Sequence, residues 1–133
     1  MVVETSAVIA ILRREGACEK LLGALEKDPV RLICSVSVLE ASMVVESRLG
    51  PQAGAHLELL IYRLGLEMVP FDQTHVELAK DAFRRFGKGR HRAALNFGDC
   101  AAYALARASG EPLLFVGEDL SRTDIGAAVS TSE

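Results

Sequence analysis

Tryptophan is absent from this 133-residue chain, and all aromatic residues together make up only 5% of it. The core must therefore be aliphatic. Cysteine is sparse too: Cys18, Cys34 and Cys100 are an odd number with no CxxC spacing. That argues against a disulfide frame or a zinc site and suits reduced, partly buried thiols in a cytoplasmic protein. Long apolar runs are missing. The one near the start, Ala7 to Leu12, falls far short of the roughly 20 residues that cross a bilayer. Met1-Val2-Val3 leads straight into Glu4 without a basic stretch or a cleavage site, so secretion is not expected. Repeats, low-complexity stretches and linkers are also lacking. The length then predicts a single domain over residues 1–133 with one core.

Half of the residues are apolar and a quarter are charged, the balance of an ordinary globular protein. Val2-Val3 reads as a buried first strand, followed by a helix over Ala7 to Arg14 that Thr5 or Ser6 caps and Gly16 breaks. Ala17 to Lys27 places Leu21, Leu22 and Leu25 on one helical face, and Asp28-Pro29 ends it. Arg31 to Cys34 is a second strand. Ser35 or Ser37 caps a helix reaching about Leu49, where Gly50-Pro51 stops it. Gln52 to Leu64 is helical, with Leu57, Leu60, Ile61 and Leu64 in register on one face. A strand over Glu67 to Phe71, a helix over Thr74 to Phe86, a basic loop over Lys88 to Phe97 and a helix over Asp99 to Ser109 follow. Leu113 to Val116 is a strand, and Ala127 to Val129 a last one before a polar tail expected to fray. Continuously apolar strands alternating with helices predict an α/β fold with a parallel sheet covered on both faces. In such sheets ligands bind beyond the carboxyl ends of the strands.

Glu4 and Asp119 stand at such ends, after Val2-Val3 and after Leu113 to Val116. Glu40 is one turn into its helix on a face shared with Val36, Met43 and Val44. Each acid also has a plain structural role to hand. Ser37-x-x-Glu40 matches a capping box, Asp99 suits a helix start, either as cap or as dipole partner beneath an Asn96 cap, and Asp119 and Asp124 suit turns. Together they are harder to dismiss. Carboxylates crowded at the ends of core elements are costly unless a cation meets them.

Metal-assisted phosphodiester hydrolysis is the chemistry that uses such a set. Mg2+ and Mn2+ take hard oxygen ligands, and carboxylates from several elements hold one or two ions, about 3.5–4 Å apart where there are two. Thr5, Ser6 and Asn96 are placed to orient carboxylates or waters. Formal net charge is −3, but Arg84, Arg85, Lys88, Arg90 and Arg92 cluster with His91 in a stretch that no acid interrupts. Local field outweighs net charge, so Lys88, Arg90 and Arg92 are the candidate contacts to a phosphate backbone. The same cluster also reads as a solvated helix end whose cations suit the dipole. His91 is not a candidate base.

Met1-Val-Val-Glu-Thr-Ser-Ala7, Ser37-Val-Leu-Glu-Ala41, Gly87-Lys-Gly-Arg-His-Arg92, Leu95-Asn-Phe-Gly-Asp-Cys100, Leu113-Leu-Phe-Val-Gly-Glu-Asp119 and Thr123-Asp-Ile125 resemble, in order and separation, the PIN-domain ribonucleases. More narrowly they resemble VapC toxins of type II toxin–antitoxin modules. The resemblance implies a three-layer α/β/α sandwich and a Mg2+- or Mn2+-dependent endoribonuclease. It also implies a homodimer, possibly built into a larger toxin–antitoxin assembly, and a cognate VapB antitoxin. It carries the metal-ligand and catalytic roles onto Glu40, Asp99 and Asp119, an additional acid onto Asp124, and supporting roles onto Ser6 and Asn96. One position departs: the family has Asp where this chain has Glu4. The charge is kept, but the carboxylate moves out by a methylene in a site that demands tight geometry.

Two other readings compete. A PIN-like module that binds RNA or a protein without cutting draws its support from Glu4. A haloacid-dehalogenase-like phosphatase needs an aspartyl nucleophile with a second Asp two residues on, where this chain has Glu4 and Ser6. A P-loop is disfavoured, since Gly87-Lys88-Gly89 lacks the required spacing. The leucine faces are mostly core, with some surface suited to an antitoxin helix or a second subunit.

Overall fold

A computed structural model describes residues 1–131. Five parallel strands form one sheet in the order β3-β2-β1-β4-β5. They are β1 (Val2–Val3), β2 (Leu32–Cys34), β3 (Glu67–Val69), β4 (Leu113–Val116) and β5 (Ala127–Thr131). The helices are α1 (Thr5–Leu12), α2 (Cys18–Lys27), α3 (Ser35–Leu49), α4 (Pro51–Arg63), α5 (Gln73–Phe86) and α6 (Phe97–Ser109), with a 3-10 turn at Leu120–Arg122.

Strand side chains alternate between two layers, as a period of two requires. Val3, Ile33 and Leu114 face α1 to α4, in a core with Val8, Leu21, Leu25, Val45 and Leu57. Val2, Cys34, Leu113 and Phe115 face the other way, onto Ala82 and Phe86 of α5 and the alanine-rich side of α6. β1 is only two residues long, but it lies at the centre of the sheet, paired through Val2 with both Leu32 and Leu113. The sequence-based α/β/α expectation holds, and the aliphatic core fills both layers.

Boundaries differ in instructive places. α1 starts at Thr5, because the Glu4 carboxylate accepts from the Ser6 amide and so fills the cap position expected of Thr5 or Ser6. α3 leaves β2 without a turn, starting at Ser35 with no side-chain cap. Ser37 is thus already inside the helix, fully buried, with a hydroxyl that has no hydrogen-bond partner among the described residues. The Ser37–Glu40 capping box does not form. α6 starts at Phe97 beneath an Asn96 cap, which shortens the basic loop. β5 extends to Thr131, and the remainder of the tail expected to fray lies outside the described residues.

Asp124 corrects a second expectation. It accepts from the Tyr103 hydroxyl at 2.5 Å and pairs with Arg85 at 2.7 Å and Arg107 at 3.6 Å. Partial burial works against its charge, yet the phenol and the guanidiniums prevail and hold its carboxyl below the ordinary aspartate range. This acid already has its cations, so it ties α5 and α6 to the approach to β5 instead of joining the other four. Tyr103→Phe removes the buried end of that tie. Allowing for solvent around Asp124, it should lower unfolding free energy by about 1 kcal/mol in urea titrations.

Candidate active site

Glu4, Thr5, Ser6, Glu40, Asn96, Asp99, Glu118, Asp119 and Arg122 line one cleft of about 560 Å³ at the carboxyl ends of β1 and β4. The four candidate ligands among these acids arrive on four separate elements. Glu4 follows β1, Glu40 sits on α3, Asp99 is in the first turn of α6, and Asp119 follows β4 by way of Gly117, whose φ of +99° permits the turn. Neither Asp124 nor any of Lys88, Arg90 and Arg92 lines it. The cation that does is Arg122, bound to Glu118 at 2.8 Å and 3.8 Å from Asp119. Its guanidinium also donates to the Arg92 carbonyl at 3.4 Å, joining the cleft to the basic loop.

Glu4 is the most constrained of the four, at 5% exposure. Its carboxylate accepts from the Ser6 amide at 2.8 Å and from the Ser6 hydroxyl, which in turn accepts from the Val116 amide at 2.9 Å. Ser6 therefore links the end of β4 to the acid that follows β1. Burial pushes the Glu4 carboxyl up to about 7, against the pull of the Ser6 bonds and with help from the charges of Asp99 and Glu40. Asp99 is raised as well, first by burial and then by Asp119 and Glu40, while the Asn96 amide opposes the shift.

Glu40 is held from two sides. Thr5 donates its hydroxyl to Oε1 at 2.6 Å. Gly98 faces the carboxylate so closely that a Cβ there would stand 2.6 Å from Glu40 Cδ. Sequence reasoning missed Gly98. A glycine in the first turn of a helix, beside a candidate ligand, was the available signal, since helix propensity alone disfavours it by roughly 1 kcal/mol. Asn96 and Asp99 close a reciprocal box, each side chain accepting from the other's amide at 2.9 and 3.0 Å. The same box that caps α6 thus fixes Asp99 at the cleft wall. Arg122 also escaped notice, although Glu118 and Arg122 have the spacing of a helical ion pair.

The donor set fits a hard divalent cation. It consists of carboxylate oxygens, burial and then their mutual repulsion raise two of them, and among the described residues no Lys or Arg pairs with Glu4, Glu40 or Asp99. Among the described residues no three Asp, Glu, His or Cys side chains form a ready-made ligand cluster. The fit therefore rests on donor chemistry and charge.

The Glu4 shift has a consequence for stability. A carboxyl raised from 4.5 to about 7 on folding binds more protons in the folded state across that interval. Its contribution is full below pH 4.5 and is lost as pH rises through 7. Without divalent metal, the chain should lose up to about 3 kcal/mol between pH 4.5 and 8 relative to Glu4→Gln, as read by urea midpoints at each pH.

Known proteins share this arrangement of sequence and fold. The PIN domain family model matches residues 1–126. The chain is 49% identical to a ribonuclease VapC of Mycolicibacterium smegmatis over 127 residues, 96% of this chain and 98% of that one. It is 45% identical to ribonuclease VapC30 of Mycobacterium tuberculosis, over 94% of this chain and 95% of that one. Among solved structures, M. tuberculosis VapC20, a Sarcin-Ricin loop cleaving toxin, superposes with a TM-score of 0.76 at 19% identity, covering 93% of this chain and 95% of that one. VapBC2 of Rickettsia felis, bound to a promoter DNA fragment, gives 0.76 at 14% identity, covering 97% and 96%. These two likenesses are of fold. The family match and the sequence identities go further: the chain belongs to the PIN-domain family, among the VapC ribonucleases.

Proposed function

We propose that the chain is a Mg2+- or Mn2+-dependent endoribonuclease toxin, with Glu4, Glu40, Asp99 and Asp119 as the residues that hold the metal. The observation that carries this reading is the meeting of those four carboxylates in one cleft, with Glu4 and Asp99 raised by burial and by their neighbours' charge. A bound ion would supply water activation and would neutralise charge at the scissile phosphate. The chain's own residues do the positioning. Ser6 orients Glu4, Thr5 and Gly98 orient Glu40, and Asn96 orients Asp99. Arg122, in the cleft, and Lys88, Arg90 and Arg92, on the adjoining loop, supply cations for the RNA backbone.

By kinship with the VapC ribonucleases, a cognate VapB-type antitoxin is the expected inhibitor, and a guanidinium from it would suit the paired carboxylates. A homodimer and a cytoplasmic setting belong to the same proposal. One observation favours a weakened enzyme. The longer Glu4 side chain is folded back onto Ser6, and burial favours the protonated form of its carboxyl when no cation is bound.

Cleavage of a structured RNA with Mg2+ or Mn2+ tests the reading. The chain should cut, Glu4→Asp should cut faster, and Asp99→Asn should lose about 100-fold or more. Metal binding without cutting in all three would leave a binding module. Metal should also raise the melting temperature more at pH 8 than at pH 5.5, where Glu4 is protonated, and less in Asp99→Asn. Gly98→Ala separates positioning from folding. The Glu40 carboxylate is a mobile side-chain end and can yield, so stability should stay within about 1 kcal/mol. Its displacement from Thr5 should cost cleavage on the order of 10- to 100-fold.

A further inference from the structure

We propose that the hollow between α5 and α6 is a stacking subsite for an unpaired nucleobase of the RNA substrate, flanking the cleavage cleft. The inference rests on the ribonuclease reading and adds to it a preference for single-stranded substrate at a defined place. The hollow, of about 590 Å³, is floored by apolar side chains that include Val76, Phe83 and Phe97 and is rimmed by Lys80, Arg84 and Arg90. No acid lines it. Phe97 is 80% exposed in the first turn of a well-packed helix. A phenylalanine ring left in water forgoes the favourable burial of its apolar surface. In a chain with few aromatics, its position beside the cleft calls for an occupant.

Three features select a nucleotide. Arg90 lies over the Phe83 ring at 5.0 Å from its centroid, already forming the flat cation-on-ring surface on which bases stack. The rim is cationic: Lys80 is shared with Glu77 at 3.3 Å, while Arg84 and Arg90 have no carboxylate partner among the described ion pairs. An apolar floor with a cationic rim complements a base and its phosphates. Finally, the first turn of α6 is the shared wall. Asn96 and Asp99 face the acid cleft, while Phe97, Cys100 and Ala101 face the hollow. A strand with a phosphate at Asp99 thus presents a neighbouring base to Phe97. A duplex keeps its bases stacked and cannot offer one.

The test uses the Asp99→Asn chain, so that RNA stays intact, with Mg2+ present. Binding of fluorescein-labelled oligoadenosine, and of its duplex with oligouridine, is followed by anisotropy. Phe97→Ala and Phe97→Leu should each weaken single-strand binding about 5- to 100-fold, while Phe97→Trp retains it and duplex binding is unchanged throughout. Loss with Ala but full retention with Leu would reveal a merely apolar contact and overturn stacking. Equal single-strand affinity in all variants would overturn the subsite. So would loss of only an antitoxin or second-copy interaction, because the face would then serve a protein. Cleavage by the chain carrying Asp99 separates the two levels. If it cuts RNA and Phe97→Ala changes nothing, the subsite alone fails; if it neither binds nor cuts any RNA, the ribonuclease reading fails with it.

Discussion

Crowding of carboxylates at one rim, one of them buried, is the constraint around which this molecule is organised. A parallel sheet delivers chain ends to one rim, and here the rim collects acids from β1, α3, α6 and the turn after β4. Such a set drives its members to protonate, and Glu4 rises to about 7, chiefly because it is buried and further because Asp99 and Glu40 are near. The fold tolerates the set by giving Glu4, Glu40 and Asp99 directed hydrogen bonds in place of a protein cation, while Asp119 has Arg122 3.8 Å away. Ser6, Thr5 and the Asn96 amide each donate to a separate carboxylate, so orientation is fixed while the negative potential persists. Asp124 shows the opposite arrangement: two guanidiniums and a phenol neutralise it, and it serves structure.

Much of the sheet was legible because buried parallel strands read as short apolar runs, and Val2-Val3, Leu32-Ile33-Cys34 and Leu113 to Val116 do so even at two to four residues. Helix starts were less legible, because several polar residues compete for each cap. Thr5 and Ser6 were plausible caps, but Glu4 precedes them and reaches the Ser6 amide first. Ser37-x-x-Glu40 has the spacing of a capping box without the position for one. The helix begins two residues before Ser37, and Glu40 faces Thr5 across the core.

In the site, the acids could be found by asking which charges border apolar segments. Sequence could not divide Asp119 from Asp124, since both follow β4 closely. The division is made by Tyr103, Arg85 and Arg107, which meet Asp124 only after α5 and α6 have packed. Gly98 belongs to the same class of contact. What matters there is the room left for Glu40, a property of two helices that neither helix's sequence records.

The clasp from Val116 through Ser6 to Glu4 joins residues separated by 110 positions in the chain. During synthesis, β1 emerges first and waits at the centre of a sheet whose other half does not yet exist. β4 must be made before the Ser6 hydroxyl finds its donor, and the turn bearing Asp119 comes later still. Long loops of this kind also close slowly. A ribosome-bound fragment that lacks β4 therefore has no assembled cleft, and the four acids meet only when the chain is nearly complete.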